Sequence, residues 1–366
     1  MPSSSRFSVS AGISQIEPYK PGKPEEELMR ELGLHTVIKL ASNENSLGPS
    51  PLAMKAIQEA AQRTNRYPDG SGYYLRQALS KKWNVSPSRI MLGNGSTDLV
   101  EIIARTYLQP QLNSITAKQT FLMYRLATLS MNATCIEIAN RDYAYDLAGM
   151  LEAINGNTRI IFIANPNNPT GMMINKSEME SFLGNLPSRV LVVLDEAYFE
   201  YVERDDFPNG LEYLGQYSNL IVLRTFSKVY GLAGIRIGYA IASEDVIAQL
   251  NRIRSPFNTS VVAQAAGLAA LEDVEHVERS RKANREEKRF LEERLAAMKI
   301  RVLPSVSNFL LLLIPNAAVI YERLLGLGII ARHMGSFNLP DGLRVTIGRH
   351  EENEAFLQAL ERVLNL

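Results

Sequence analysis

Lys228 and Arg236 stand close together in the stretch Arg224–Tyr239, RTFSKVYGLAGIRIGY. The apolar run Leu220–Leu223 ahead of them reads as a buried strand, and the glycines after Lys228 mark a tight loop. A lysine held in a dry cleft gives up its proton more readily, and the free amine can attack an aldehyde to form a Schiff base. A guanidinium close by suits a phosphate, because its fork of N–H donors pairs with phosphate oxygens. An aldehyde and a phosphate on one molecule is the ligand such a pair describes. A solvated lysine on a polar loop is the plainer alternative.

Other residues of matching chemistry recur along the chain. Ser96 and Thr97 follow a Gly-x-Gly turn after the strand Ile90–Leu92 and open an amphipathic helix. Backbone N–H groups at such a helix start can hold phosphate. An ordinary capped helix begins the same way, and the glycine pattern is not the dinucleotide fingerprint. KQTFLMY sets Phe121 and Tyr124 at a strand end. RIIFIANPNNPTG, residues 159–171, runs a buried strand into an irregular turn that holds Asn168. RVLVVLDEAY, residues 189–198, ends a further apolar strand on Asp195, with Tyr198 just beyond. Tyr67 lies on a Pro/Asp/Gly loop, and Tyr19 lies in the extended Pro-rich segment IEPYKPGKP. Arg332 and Arg344 sit in short strands near the C-terminus and need partners wherever they are buried.

Strands and helices alternate over residues 90–240, and the strands are apolar throughout. That predicts a mostly parallel sheet sandwiched by helices, with ligands beyond the strands' C-terminal ends. Ser96, Thr97, Phe121, Asn168, Asp195, Tyr198 and Lys228 all fall at such ends. Past Asn258 the pattern turns to long helices, then a strand over Asn308–Ile314, a helix over Ala317–Leu325, short strands around Ile329–Arg332 and Leu343–Ile347, and a final helix. The division expected is an N-terminal arm with part of a small α/β domain (1–45), a large ligand-binding domain (46–260) and the small domain (261–366).

Pyridoxal phosphate (PLP) makes demands that this set can meet. Lys228 would carry it, and a carboxylate, Asp195, would keep its ring nitrogen protonated. Tyr198 and Asn168 are candidates for the ring's phenolic oxygen, and Phe121 for stacking on the ring. Hydroxyls, helix N–H groups and Arg236 would take the phosphate. Lys228, once freed, would move a proton between substrate carbon and cofactor.

Composition removes several other classes. The chain has 366 residues, 46% hydrophobic and 21% charged, with a formal net charge of +0. That balance gives no electrostatic case for nucleic acid or anionic membrane. Phe309–Ile314 is too short to span a bilayer. The Ser-rich N-terminus has no apolar signal core and reads as a tail. One cysteine, Cys135, allows no internal disulfide, and the four histidines lack zinc spacing, so no metal is expected. A reducing cytoplasm suits such a chain.

The ordered set NPNNPTG, DEAY, SKVYGLAGIRIGY, NRYPDG and LRVTIGRHEEN, with EPYKPG near the start, resembles fold-type I PLP-dependent aminotransferases. The closest likeness is to the histidinol-phosphate aminotransferases, and it spans nearly the whole chain. The resemblance implies that Lys228 carries the cofactor, that Asp195 pairs with its nitrogen, and that Asn168 and Tyr198 meet its phenolic oxygen. It implies that Ser96, Thr97, Thr225, Ser227 and Arg236 bind the phosphate. Tyr67 would reach the phosphate in a partner subunit, which makes a homodimer the expected assembly. Tyr19, Arg332 and Arg344 would hold the substrate's phosphate or carboxylate. Phe121 departs from the tyrosine found in many members and removes one hydroxyl near the ring. Histidinol phosphate with 2-oxoglutarate is the expected substrate pair. Aromatic amino acids, a lyase reaction like that of the threonine-phosphate decarboxylases, and a non-catalytic regulator are the alternatives, the last without a DNA-binding extension to support it.

Overall fold

The computed structural model describes residues 7–18 and 22–365. Strand β1 (Ile38–Lys39) lies outside the main sheet. The main sheet takes β2 (Ile90–Gly93), β3 (Asn113–Ala117), β4 (Thr134–Ile138), β5 (Thr158–Ala164), β6 (Leu191–Asp195), β7 (Leu220–Thr225) and β8 (Gly238–Ile241). Their order is β2-β8-β7-β6-β5-β3-β4. β8 runs antiparallel to both neighbours, and the remaining pairings are parallel. Because β8 runs back, Gly238 pairs with both Gly93 and Thr225. Arg236, just ahead of β8, therefore arrives at the same sheet edge to which β7 delivers Lys228.

The sheet is apolar on both faces because it is covered on both. Successive side chains of one strand enter different cores. Val192 and Leu194 of β6 join a core shared with Ala53, Leu75 and Ala266, from helices Pro51–Ala61, Tyr73–Trp83 and Val261–Glu272. Val193 joins a second core with Leu99, Ala127 and Leu250, from helices Gly95–Tyr107, Met123–Ser130 and Glu244–Ile253.

The C-terminal sheet has the order β12-β13-β10-β9, built from β9 (Arg301–Val302), β10 (Phe309–Leu313), β12 (Arg332–His333) and β13 (Gly342–Thr346), all antiparallel. β11 (Ile329–Ile330) instead pairs in parallel with β1. The single strand expected over Ile329–Arg332 is thus two, split at Ala331, because its halves serve different sheets. Leu310, Leu312, Val345 and Phe356 share the core of this unit. Helix Val261–Glu272 does not belong to it. Ala263, Ala266, Gly267 and Ala270 are buried in that helix, and these small residues let it lie against Pro51–Ala61 in the first core. The boundary expected at residue 260 therefore cuts off a helix that packs with the main sheet. Among the described residues, no helix is long and apolar enough to cross a membrane.

One charged pair sits inside the first unit. Arg224 of β7 shares the parity of Leu220 and Val222, so it points into the core, where it is 0% exposed. Its Nη2 donates to Glu196 Oε2 (2.7 Å) and to Asn209 Oδ1 (2.8 Å), and its Nε donates to Glu196 Oε2 (3.0 Å). Its guanidinium lies 3.5 Å from the Phe199 ring centre and 4.3 Å from that of Trp83. Removing one partner of such a pair leaves a desolvated charge. Glu196→Gln should therefore destabilise the fold by about 3–5 kcal/mol, read as a lower urea midpoint. A loss below about 1 kcal/mol would show that the guanidinium does not depend on this carboxylate.

Candidate active site

The C-terminal ends of β5, β6 and β7, the start of helix Gly95–Tyr107 and the turn Ala233–Arg236 enclose a cavity of about 250 Å³. Ser96, Thr97, Phe121, Asn168, Asp195, Tyr198, Thr225, Ser227, Lys228 and Arg236 all line it. Ser42, Glu44, Tyr124 and Pro166 line it as well, although sequence reasoning had given none of these a role.

Lys228 follows the end of β7. Its Nζ donates to the Ser42 carbonyl (3.3 Å) and lies 5.5 Å from the Tyr198 ring centre. Burial, and then the charge of Arg344, pushes this amine down to about 8; Arg236 adds to the effect, while Glu44 and Asp195 oppose it. A fraction of Lys228 is thus unprotonated near neutral pH, as a nucleophilic amine requires.

Asp195 closes β6 and is 4% exposed. Its Oδ2 accepts from the Tyr124 hydroxyl (3.0 Å). Its Oδ1 is buried and has no hydrogen-bond partner. Burial raises this carboxyl to about 6, while hydrogen bonds from Tyr124 and the Ala197 backbone draw it down. Buried polar atoms are normally paired. An orphan carboxylate oxygen on the wall of a cavity fits a ligand that brings its own N–H.

At another side of the cavity the groups suit an anion. Thr225 Oγ1 donates to Ser227 Oγ (2.9 Å), and Arg236 Nη1 reaches toward Ser227 Oγ (3.5 Å) and donates to the Ala233 carbonyl (3.0 Å). Gly95 has φ +79, and a Cβ there would fall 2.3 Å from Arg236 Nη2. The glycine therefore makes room for the guanidinium at the helix start, next to Ser96 and Thr97. Hydroxyls, a guanidinium and free N–H groups of a first helical turn are a phosphate-binding set. With the Lys228 amine and the orphan oxygen of Asp195, they fit the aldehyde, ring nitrogen and phosphate expected from the sequence.

The three asparagines of NPNNP divide their work. Asn165 accepts from Ile174 N (2.8 Å) and donates to its carbonyl (3.1 Å). Asn167 donates to the Gln119 carbonyl (2.9 Å) and accepts from Thr120 (2.8 Å) and Tyr145 (3.1 Å). Those two hold the turn, and Asn168 is left facing the cavity. Asn168 Oδ1 accepts from Arg344 Nη1. Arg344, 6% exposed on β13, also donates to the Ala41 carbonyl (2.7 Å). Arg332 pairs with it across the strands, which puts both side chains on one face of the C-terminal sheet. Arg332 is half-buried, and its Nη1 would lie 3.6 Å from a Cβ on Gly22. Neither arginine lines the cavity itself. Tyr67 is also elsewhere, 82% exposed and stacked on Phe257 at 4.6 Å between ring centres. Tyr19 lies outside the described residues.

Segment Ser42–Glu44 is the largest addition to the expected set. Asn43 Nδ2 donates to the Tyr198 hydroxyl (2.9 Å), Asn43 N donates to Thr346 Oγ1 (2.9 Å), and Asn308 Nδ2 donates to the Asn43 carbonyl (3.0 Å). The strand-to-turn pattern of ASNEN was legible, but nothing local marks it as a wall of the site.

A mostly parallel sheet with a lysine and a carboxylate at adjacent strand ends is the architecture of a PLP-type transferase, and comparison with known proteins agrees. Residues 35–360 match the family "Aminotransferase class I and II". The chain is 45% identical over 356 residues to histidinol-phosphate aminotransferase 2 of Pseudomonas aeruginosa, covering 96% of each protein. It is 45% identical to the histidinol-phosphate aminotransferase of an Anaeromyxobacter species, covering 97% of this chain and 99% of that one. The crystal structure of histidinol-phosphate aminotransferase from Sinorhizobium meliloti, in complex with pyridoxal 5′-phosphate, superposes with a TM-score of 0.91 at 29% identity, covering 99% of each chain. The chain belongs to the class I and II aminotransferases.

The dry carboxylate has a consequence for stability. Asp195 titrates at about 6 in the fold against 3.8 ordinarily, so folding favours its protonated form. The cofactor-free protein therefore loses stability as pH rises through that window, and the loss is complete above it. Asp195→Asn cannot ionise and escapes that loss. Near neutral pH the variant should be about 2–3 kcal/mol more stable than its parent, with the gap closing in acid. A variant no more stable at neutral pH would mean that the carboxylate is solvated after all.

Proposed function

We propose that the chain is a PLP-dependent aminotransferase that exchanges an amino group between histidinol phosphate and 2-oxoglutarate, with imidazole acetol phosphate and glutamate as the products. The observation that carries this reading is that the Lys228 amine and the orphan Oδ1 of Asp195 line the same cavity as Arg236. The similarity to enzymes named for histidinol phosphate supports the choice of substrate.

When bound, pyridoxal phosphate supplies an aldehyde for amines and a ring that accepts electrons from the substrate carbon. The chain's own groups would do the rest. Lys228 Nζ would hold the cofactor and, once freed, would carry a proton from the substrate carbon to the carbon that bore the aldehyde, a task suited to an amine titrating near 8. Asp195 Oδ1 would pair with the ring nitrogen and keep its proton in place. Asn168 and Tyr198 would bind the ring's phenolic oxygen, and Phe121 would cover the ring. Ser96, Thr97, Thr225, Ser227 and Arg236 would bind the phosphate. Arg344 and Arg332 read the substrate's anionic group, which is a phosphate in histidinol phosphate and a carboxylate in glutamate.

Loaded protein mixed with histidinol phosphate alone should lose the aldehyde-form absorbance in one turnover and regain it on 2-oxoglutarate. A response to phenylalanine only would move the reading to aromatic donors, and release of carbon dioxide from threonine phosphate would move it to a decarboxylase. Arg332→Ala should lower kcat/KM for histidinol phosphate roughly ten- to 150-fold, since a charge-assisted bond contributes about 1.5–3 kcal/mol. The loss for phenylalanine should be smaller, and equal losses would remove Arg332 as a phosphate reader.

The working unit in this reading is a homodimer, with Tyr67 of each chain completing the other's phosphate site. Its exposure supports that role. Two inactive proteins, Lys228→Ala and Tyr67→Ala, should then regain about a quarter of parental activity when refolded together, because half of the dimers formed at random are mixed and carry one intact site. A mixture that stays inactive would mean that Tyr67 serves the site of its own chain, and a Tyr67→Ala protein that is fully active by itself would place Tyr67 outside the site.

A further inference from the structure

The pairing of Asp195 with Tyr124 assigns the tyrosine a task that sequence reasoning had not given it. Tyr124 opens helix Met123–Ser130 and is fully buried. Its ring stacks on Phe162 of β5, with ring centres 5.0 Å apart and planes within 3°. Phe121 meets it edge-on at 5.5 Å. Its carbonyl accepts from Thr128 Oγ1 (2.8 Å), and that hydroxyl is within 2.7 Å of Ser114 Oγ on β3. Ring and backbone are both pinned, so the hydroxyl has little freedom to leave Asp195 Oδ2 at 3.0 Å. Burial and the Asp195 charge hold this phenol well above its ordinary range, which keeps it a donor.

We propose that Tyr124 is the positioning residue of the electron sink: it occupies Oδ2, leaves Oδ1 as the oxygen for the cofactor's ring nitrogen, and fixes where the proton between them sits. A carboxylate in a dry site is more basic than in water, and a stronger base pulls a shared proton toward itself. The Tyr124 hydroxyl withdraws charge from Asp195 and so keeps that proton on the ring nitrogen. The same ring braces Phe121, so one side chain serves both the edge and the face of the cofactor. This inference rests on the assignment of pyridoxal phosphate to the cavity.

The test is the ¹⁵N NMR signal of the ring nitrogen in protein loaded with ¹⁵N-labelled pyridoxal phosphate. Tyr124→Phe removes one hydroxyl and keeps the ring. Its signal should move toward the unprotonated position, for which the loaded Asp195→Asn protein is the reference, and kcat should fall about tenfold with little change in KM. Replacing Tyr124 by 3-fluorotyrosine keeps the size and makes the phenol a stronger donor. The signal should then move the opposite way, a response that loosened packing would not give, and this variant serves even where Tyr124→Phe folds poorly. A ring-nitrogen signal unchanged in both proteins, or shifted in the same direction in both, overturns the proposal. Failure of the parent protein to take up the labelled cofactor overturns the functional reading instead.

Discussion

Asp195 is buried at the end of β6, where the residues paired with it on both neighbouring strands, Ala164 and Leu223, are apolar, and it carries one oxygen with no partner. An isolated carboxylate there would take up a proton and become useless as a counter-charge. The fold keeps it poised by surrounding it with graded support. Tyr124 and the Ala197 backbone donate to it, Lys228 attracts it, and Glu196 repels it. Glu196 in turn is occupied by Arg224, which keeps that second carboxylate committed to the core. The parallel strands β5, β6 and β7 matter because they bring Asn168, Asp195 and Lys228 to one edge, and the reversed strand β8 matters because it returns Arg236 there.

The C-terminal unit is more than a cover. Arg344 reaches from β13 to Asn168, and Thr346 and Asn308 hold Asn43, whose side chain meets Tyr198. The short segment Ala41–Glu44 is thus gripped by one unit while it touches Lys228 and Tyr198 in the other. A change in what Arg344 binds has a direct route to the lysine, through the Ala41 and Ser42 carbonyls and through charge, since Arg344 is the largest charge acting on the Lys228 amine.

The layered architecture and the strand-end residues were legible in the sequence because parallel strands leave a plain mark: apolar runs ending in one polar residue. What did not show was contact between distant segments. Tyr124 and Asp195 are far apart in sequence, and only the packing of helix Met123–Ser130 on β3 and β4, with the Tyr124 ring stacked on Phe162 of β5, brings the hydroxyl to the carboxylate. ASNEN has no local sign that it will lie against Lys228. The helix Val261–Glu272 misled for a different reason: loss of strand alternation looked like a domain boundary, whereas its alanines were prepared for the first core. NPNNPTG, DEAY and SKVYGLAGIRIGY carried much of the resemblance to aminotransferases because each encodes a turn at the same sheet edge, whereas LRVTIGRHEEN belongs to the C-terminal sheet and the helix after it.

Lys228 is the residue proposed to join the chain to pyridoxal phosphate. Borohydride reduction of the loaded protein, followed by peptide mass mapping, tests this most directly. The expected result is a pyridoxyl mass on the peptide containing Lys228 and on no other. A label on a different lysine, with Lys228 unmodified, would contradict it.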